Sequence, residues 1–130
     1  MKIVLWIVQI LLALAFAGAS YQHSFGAAQA QLQPGMQWIA AAPQPLLIFI
    51  AICEFLGALG LILPTATKIQ PQLTPLAAAL LAVMMLLAIG LHLTRGEYAN
   101  IAFPLVLGAL AAFVAYGRWQ IAPSKRRDDV

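Results

Sequence analysis

Residues 46–63 read LLIFIAICEFLGALGLIL, a stretch in which Glu54 is the only charged side chain. A helix needs roughly 20 apolar residues to cross the hydrocarbon core of a bilayer, which is about 30 Å thick. Lipid offers no hydrogen bonds, so a segment that crosses it must pair its backbone N–H and C=O groups internally, as a helix does. The stretch therefore predicts a transmembrane helix.

Three further stretches meet the same requirement, so the sequence predicts an all-α membrane protein built as a four-transmembrane-helix bundle. The predicted helices cover residues 3–21, 46–63, 75–93 and 101–116. Pro64, Pro71 and Pro75 are expected to bound the link between the second and third helices, because proline interrupts regular backbone pairing. Residues 1–119 are predicted to form one transmembrane domain, followed by a polar cytoplasmic tail at 120–130.

The composition of the chain excludes several other classes of protein. Of its 130 residues, 63% are hydrophobic and only 8% are charged, which is too little polar surface for a soluble domain. Cys53 is the only cysteine, and no zinc-spaced cluster or nucleotide-binding loop is present, so no metal is expected. The basic residues form no patch with aromatics, which argues against a nucleic-acid partner. The lipid bilayer is the partner that the composition predicts.

The lysines and arginines are distributed unevenly between the two predicted sides of the membrane. Arg95 lies alone on one side. The other six lie on the opposite side: Lys2, Lys68, Arg118, Lys125, Arg126 and Arg127. Because short cytoplasmic loops carry an excess of Lys and Arg, we expect both termini of this cell-membrane protein in the cytoplasm.

The first predicted helix has an alternative interpretation as a cleaved signal peptide. Its apolar stretch runs from Ile3 to Ala19, whereas the apolar core of a signal peptide usually covers about 7–15 residues. The length favours a retained helix, and the mature N-terminus would discriminate between the two interpretations.

The loop after the first helix also has two interpretations. Residues 35–42 contain Trp38, and tryptophan is enriched at the depth of the lipid headgroups. The segment is therefore either a surface loop with one anchoring aromatic or an interfacial or re-entrant element. Asn100 is expected to cap the fourth helix.

Glu54 is the most unusual residue of the chain because it lies near the middle of a predicted transmembrane helix. A charge at that depth costs at least about 2.5 kcal/mol, so the side chain should face protein or water and be protonated or paired. Gly57 and Ala58 follow three and four residues later, on the same helical face, where small side chains let another helix approach. We therefore expect Glu54 inside the bundle.

Small residues at helical spacing indicate where the helices pack against one another, because Gly and Ala let membrane helices come close enough for dispersion forces to act. The predicted packing positions are Gly57, Ala58, Gly60, Ala78, Ala82 and Gly108.

A second polar cluster lies at the predicted outer end of the third helix. His92 and Arg95 are three residues apart and share one face. Glu54 should lie roughly 12 Å below the outer end of its own helix. Two hypotheses stay open: one polar site that joins Glu54, His92 and Arg95, or a buried carboxyl separate from an interfacial charge pair. His23, just beyond the first predicted helix, is expected to be exposed.

The sequence resembles the DoxX-like family of membrane proteins. The segment EFLGALGLILP at residues 54–64 is similar to the signature of the family. Further similarities are Pro75 at the start of helix three, His92 with RGE at residues 95–97, and YGR at residues 116–118. The resemblance implies a four-helix bundle of largely unassigned activity, with some relatives associated with quinone-linked respiratory or sulfur-oxidising complexes.

The first helix departs from the pattern of the family. Such proteins often carry a lysine a few residues after a glycine, whereas here Gly18 is followed by Ala19, Ser20 and Tyr21. If that lysine pairs with the glutamate of helix two, the resemblance implies that this chain has either lost the lysine's role or replaced it with Tyr21 or His23.

Two functions follow as hypotheses. In the first, the chain is a membrane subunit or accessory of a redox complex, and an outer pocket with Glu54, His92, Arg95 and Tyr21 binds a quinone-like ligand. In the second, it is a non-enzymatic scaffold, assembly factor or small transporter, and it can form homo-oligomers. The sequence offers no nucleophile beside a base, so it names no catalytic residue and leaves open whether the chain is an enzyme.

Overall fold

A computed structural model describes residues 1–24, 43–96, 98 and 101–123 of the chain. The predictions for residues 35–42, for the cap Asn100 and for Glu97 lie outside these described residues. So do the last seven residues of the predicted tail.

Four helices and one short helical extension make up the described part of the chain. They are α1 (Lys2–Ser24), α2 (Gln44–Thr67), α3 (Leu73–Thr94), α4 (Ala102–Tyr116) and a π-helical turn (Gly117–Ile121). The turn continues α4, and the two together supply the fourth apolar span, Ala102–Ile121. All four spans are long and apolar enough to cross a membrane, so the predicted four-helix class is confirmed.

Consecutive helices pack side by side: α1 lies along α2, α2 along α3 and α3 along α4, and α4 also contacts α1. The short link of residues 68–72 makes α2 and α3 antiparallel neighbours. We call the end of the bundle with His23 and His92 the histidine end. The opposite end, with Lys68 and Arg118, is the arginine end.

Helix α2 continues past its predicted end at Leu63, so the prediction that Pro64 bounds the helix was wrong. Pro64 is buried inside the helix. Proline has no N–H for the carbonyl four residues earlier, but neighbouring groups in a membrane protein can compensate for such a break. Thr65 Oγ1 donates to Thr74 Oγ1 on α3 at 2.8 Å. The helix ends only where Lys68 adopts a left-handed backbone conformation with φ of 59°.

The other helix boundaries lie within three residues of their predicted positions, and one of these differences matters for the site. Helix α1 ends at Ser24 rather than at residue 21. The additional turn places His23 on the helix rather than in the loop after it. The helical residues after α4 reach Ile121, while the division into a domain of residues 1–119 and a tail stays a prediction.

The core is formed by apolar side chains from all four helices. Its members are Leu12, Phe16, Ala58, Leu61, Ala78, Leu81, Met85, Leu107, Ala111 and Val114. Many large apolar side chains lie instead on the outside, among them Ile3 and Leu87, which are 76% and 70% exposed. Such a surface would be unfavourable in water and is expected where lipid surrounds the helices.

Small residues lie where the helices approach each other most closely. A Cβ atom at Gly57 would be 2.6 Å from Leu81 Cδ2, and one at Gly60 would be 2.7 Å from Ala77 Cβ. The corresponding distance from Gly108 to Met85 Cβ is 3.1 Å. The other predicted packing positions lie in or against the core: Ala58 and Ala78 are buried, and Ala82 is half-buried.

Candidate functional site

Glu54 is buried inside the bundle, which confirms the prediction for its burial. Its exposed fraction is 3%. It lies ten residues after Gln44, the first residue of α2, or about 15 Å along the helix at ~1.5 Å per residue. Its Oε2 atom is 2.8 Å from Nδ1 of His23 on α1. The buried carboxyl therefore has a titratable partner from a different helix.

The expectation that His23 is exposed was wrong, because only 8% of this residue is accessible. The reason is the additional turn of α1, which keeps His23 on the same helical face as Ser20. Ser20 is also buried, and its Oγ donates to the carbonyl of Ala51 at 2.7 Å. Ala51 lies three residues before Glu54, just under one turn of α2. Two buried side chains of α1, Ser20 and His23, therefore contact one face of α2.

The histidine–glutamate pair can hold a proton that is able to move. It exists either as an imidazolium with a carboxylate or as a neutral imidazole with a carboxylic acid, so the two groups share a proton. Away from water the hydrogen bond between the two groups is stronger than at a surface. The arrangement can therefore exchange a proton with a bound molecule without leaving an isolated charge in the membrane.

The other predicted site residues lie at the same end of the bundle but differ in burial. His92, in the last turn of α3, is buried with 7% exposure. Arg95 is exposed where α3 ends, and Tyr21 is 63% exposed on the last turn of α1. The ion pair of Glu54 is with His23. A single site that joins Glu54, His92 and Arg95 stays a prediction.

Within the ranges that the structure describes, no three His, Cys, Asp or Glu side chains come close enough together to hold a metal ion.

A second buried polar network lies toward the arginine end, and the sequence analysis did not identify it as a site. Arg118 is 4% exposed, and its Nε donates to Oε1 of Gln9 at 2.6 Å. Nε2 of Gln9 donates to the carbonyl of Leu61, which links α4, α1 and α2. Nη1 of Arg118 donates to the Ala122 carbonyl at 3.3 Å, and its guanidinium lies 5.5 Å from the ring centroid of Trp6.

Local backbone features bring these partners together. Helical side chains tilt toward the N-terminus of their helix, so Arg118 at the end of the last span is directed back into the bundle. Gly117 allows α1 to approach, since a Cβ atom there would be 2.5 Å from Leu5 Cδ2. Gln9 was a recognisable signal, because an amide inside an apolar helix needs a hydrogen-bond partner in the bundle.

Apolar core residues separate the two polar networks. Glu54 and Leu61 are seven residues apart on α2, which corresponds to about 10 Å along the helix axis. Ala58 lies between them on α2, and Leu12 and Phe16 lie between Gln9 and Ser20 on α1. The two networks are therefore distinct buried polar sites, one toward each end of the bundle.

A groove of about 570 Å³ runs between α2 and α3 on the outside of the bundle. Its lining comes from residues 46–57 of α2 and 77–87 of α3 and is almost entirely apolar. Cys53, the residue before Glu54, contributes to this lining. The groove therefore lies beside the stretch of α2 that carries the buried acid.

The chain was compared with known proteins. The model of the DoxX-like family matches residues 7–114, which cover α2 and α3 completely and most of α1 and α4. No curated protein and no solved structure gives a significant match. Glu54, His23, His92 and Gln9 lie within the matched residues, and Arg118 follows them.

Proposed function

Because the chain belongs to the DoxX-like family, we propose that this multi-pass membrane protein is a subunit or accessory of a quinone-linked redox system. In this proposal the polar site at the histidine end binds the head of a quinone-like molecule. The observation that carries the proposal is the buried pair of Glu54 and His23, with 2.8 Å between Oε2 and Nδ1. A cell-membrane location, typical of such proteins, gives the site direct access to lipid-soluble ligands.

The chemistry of the pair suits such a head group. A quinone carbonyl accepts hydrogen bonds, and reduction of the quinone by two electrons and two protons converts its two carbonyls into two hydroxyls, which donate hydrogen bonds. Glu54 orients the imidazole through Nδ1, and we assign Nε2 of His23 as the atom that exchanges its hydrogen bond with the ligand oxygen. The pair can donate to the carbonyl form and accept from the hydroxyl form, so it suits both oxidation states. The electrons would come from a partner redox complex.

Three further residues at this end would complete the pocket, one of them buried and two at its exposed rim. We place His92 against the ligand, because it is buried at the same end as His23. Arg95 and Tyr21 are exposed where α3 and α1 end. In this arrangement they contact the more polar, outward part of the head group.

We further propose that the histidine end faces the outside of the cell and that both termini are cytoplasmic. The support is the bias of six Lys and Arg residues against one between the two sides. Reporter fusions at the C-terminus and in the loop after α1 test the orientation. A cytoplasmic signal from the loop fusion would contradict it.

The binding experiment uses the full chain in lipid nanodiscs, titrated with decylubiquinone. We expect saturable binding that Glu54→Gln weakens about tenfold or more, since hydrogen bonds that involve a charged group contribute about 1.5–3 kcal/mol. Thr94→Val is the matched control, because Thr94 is an exposed polar residue at the same end. It should bind like the wild type.

The outcome also discriminates between the two functional hypotheses. Absence of saturable binding to the wild-type chain would refute the quinone site. If the chain then co-purifies with a stable membrane partner under mild detergent, the scaffold or assembly function is favoured. Flux into liposomes that depends on Glu54 would favour a transporter instead.

A further inference from the structure

The groove between α2 and α3 has the dimensions and position of a binding site for a hydrocarbon chain. Residues 46–57 extend about 16 Å along α2, roughly half of the ~30 Å hydrocarbon core. The volume of about 570 Å³ is within the range of small-molecule sites. A helix is about 10 Å wide with its side chains, so a chain-like molecule fits this groove, which is about one leaflet long, better than a partner helix does.

The groove is concave where small residues line it. Cys53 and Gly57 contribute from α2 and Ala77 from α3, and Gly57 is one of the positions where the two helices come closest. Bulkier, exposed side chains such as Phe49 and Leu87 also line the groove. Its depth therefore follows from the same small residues that let the two helices pack together.

The groove also lies close to the polar site along α2 and α3. Cys53 and Gly57, which line it, precede and follow Glu54 by one and three residues. On α3, the lining reaches Leu87, and His92 lies five residues further, about 7.5 Å toward the histidine end. The groove thus extends from the histidine end to the depth of the buried acid.

We propose that this groove holds the hydrocarbon tail of the molecule whose polar head binds at the Glu54–His23 site. The inference rests on the proposed function and specifies its ligand class. The ligand is an amphipathic molecule with a long hydrocarbon chain, and compact water-soluble molecules are poor ligands. The head selects the molecule by hydrogen bonds, and the groove positions its chain along α2.

The physical basis of chain binding in a membrane determines how the test must be made. Lipid is as apolar as the groove, so a tail that leaves lipid for the groove gains no hydrophobic free energy. The gain comes from dispersion contacts, which depend on shape. A side chain that fills the groove should therefore displace the tail, even when that side chain is itself apolar.

The experiment uses a benzoquinone with a decyl chain that ends in a photoreactive diazirine, added to the full chain in nanodiscs. We expect cross-links concentrated on residues 46–57 and 77–87. Val83→Trp, which fills the groove, should reduce these cross-links at least fivefold and weaken binding of the probe. Leu86→Trp is the matched control, because Leu86 is 66% exposed and does not line the groove. It should leave both quantities unchanged.

The outcomes separate this inference from the proposed function. If Glu54→Gln abolishes binding while Val83→Trp changes nothing, the groove is refuted and the function of the polar site stands. If Val83→Trp removes the cross-links while Glu54→Gln leaves binding unchanged, the groove stands and the proposed head-group site fails. Cross-links spread evenly over all exposed faces would indicate only surrounding lipid and would overturn the inference. Size-exclusion chromatography of each variant verifies that it is folded.

Discussion

The two ends of the bundle both bury polar side chains that α1 brings to its neighbours, but they differ in chemistry. At the histidine end, His23 meets the carboxyl of Glu54, and both side chains are of a type that can bind or release a proton. Toward the arginine end, Arg118 meets the amide of Gln9 and the Ala122 carbonyl. Arginine stays protonated in proteins, and amides do not titrate, so no proton can move there. We therefore propose proton exchange for the histidine end and a structural role for the arginine end.

The arginine end also connects more of the fold. The network of Arg118, Gln9 and the Leu61 carbonyl joins three helices, whereas the Glu54–His23 pair joins two. If the comparison is right, substitutions toward the arginine end should mainly lower stability. Substitutions at the histidine end should mainly change ligand binding.

The largest effect is expected for Arg118→Ala. This change leaves the buried Oε1 atom of Gln9 without its donor and removes the contact with Trp6. We expect a loss of about 3 kcal/mol in the free energy of unfolding, because a buried acceptor left without its donor costs about 1–3 kcal/mol and the lost contact with Trp6 adds about 0.5–1 kcal/mol. Unfolding by denaturant in mild detergent, followed by circular dichroism, measures the change.

A double variant provides the control for that prediction. Replacing both partners, Arg118→Met with Gln9→Leu, removes the unsatisfied groups together and should be less destabilising than Arg118→Ala. A loss below about 1 kcal/mol for Arg118→Ala would contradict a structural role for this network.

The next largest effect is expected for Gly60→Ala, next to the Leu61 carbonyl. The new Cβ atom would lie 2.7 Å from Ala77 Cβ, which has no flexible side chain that can move away. Overpacking of this kind costs about 1–3 kcal/mol. Gly90→Ala on α3 is the control, because a Cβ atom there meets nothing within 4 Å. Thermal unfolding in detergent should show a lower midpoint for Gly60→Ala alone, and equal midpoints would disprove the close approach of α2 and α3.

The sequence was sufficient to predict the four helices and the burial of Glu54, because both follow from local rules. Apolar length determines which segments can span lipid, and a charge within a span must face the protein. The prediction that helix two ends at Pro64 was wrong. In membrane helices, groups around a proline can satisfy the carbonyl that lacks its N–H partner, and a rule about the proline alone does not include them. Helix ends near proline are therefore the least reliable part of such a prediction.

The partner of Glu54 could not be derived from the sequence in the same way. Spacing within α3 offered His92 and Arg95 as candidate partners and left open whether Glu54 meets them. The structure instead pairs Glu54 with His23 of α1, a helix that runs one turn further than expected. The family departure in helix one named His23 as one of two replacements, but it could not choose between His23 and Tyr21. Contacts between helices depend on their relative rotation and depth, which the periodicity of one helix does not specify.

A smaller stability effect is expected for Glu54→Gln, in contrast with its large effect on binding. Glutamine has nearly the same size and can still hydrogen-bond the imidazole of His23, so the free energy of unfolding should fall by at most about 1 kcal/mol. The same denaturant experiment as for Arg118→Ala measures it. If Glu54→Gln were as destabilising as Arg118→Ala, the two ends would both be structural and the comparison would fail.

The smallest effect is expected for Ser20→Ala, which removes one hydrogen bond between α1 and α2 near the histidine end. The hydroxyl donates to the Ala51 carbonyl at 2.7 Å. Side-chain hydrogen bonds between membrane helices contribute about 0.6 kcal/mol on average, because polar groups of the unfolded chain in the membrane also find hydrogen-bond partners. We therefore expect a loss of about 0.6 kcal/mol in stability and unchanged affinity for decylubiquinone. A binding loss as large as that of Glu54→Gln would show that Ser20 positions His23, and the ligand site would then extend one turn deeper along α1.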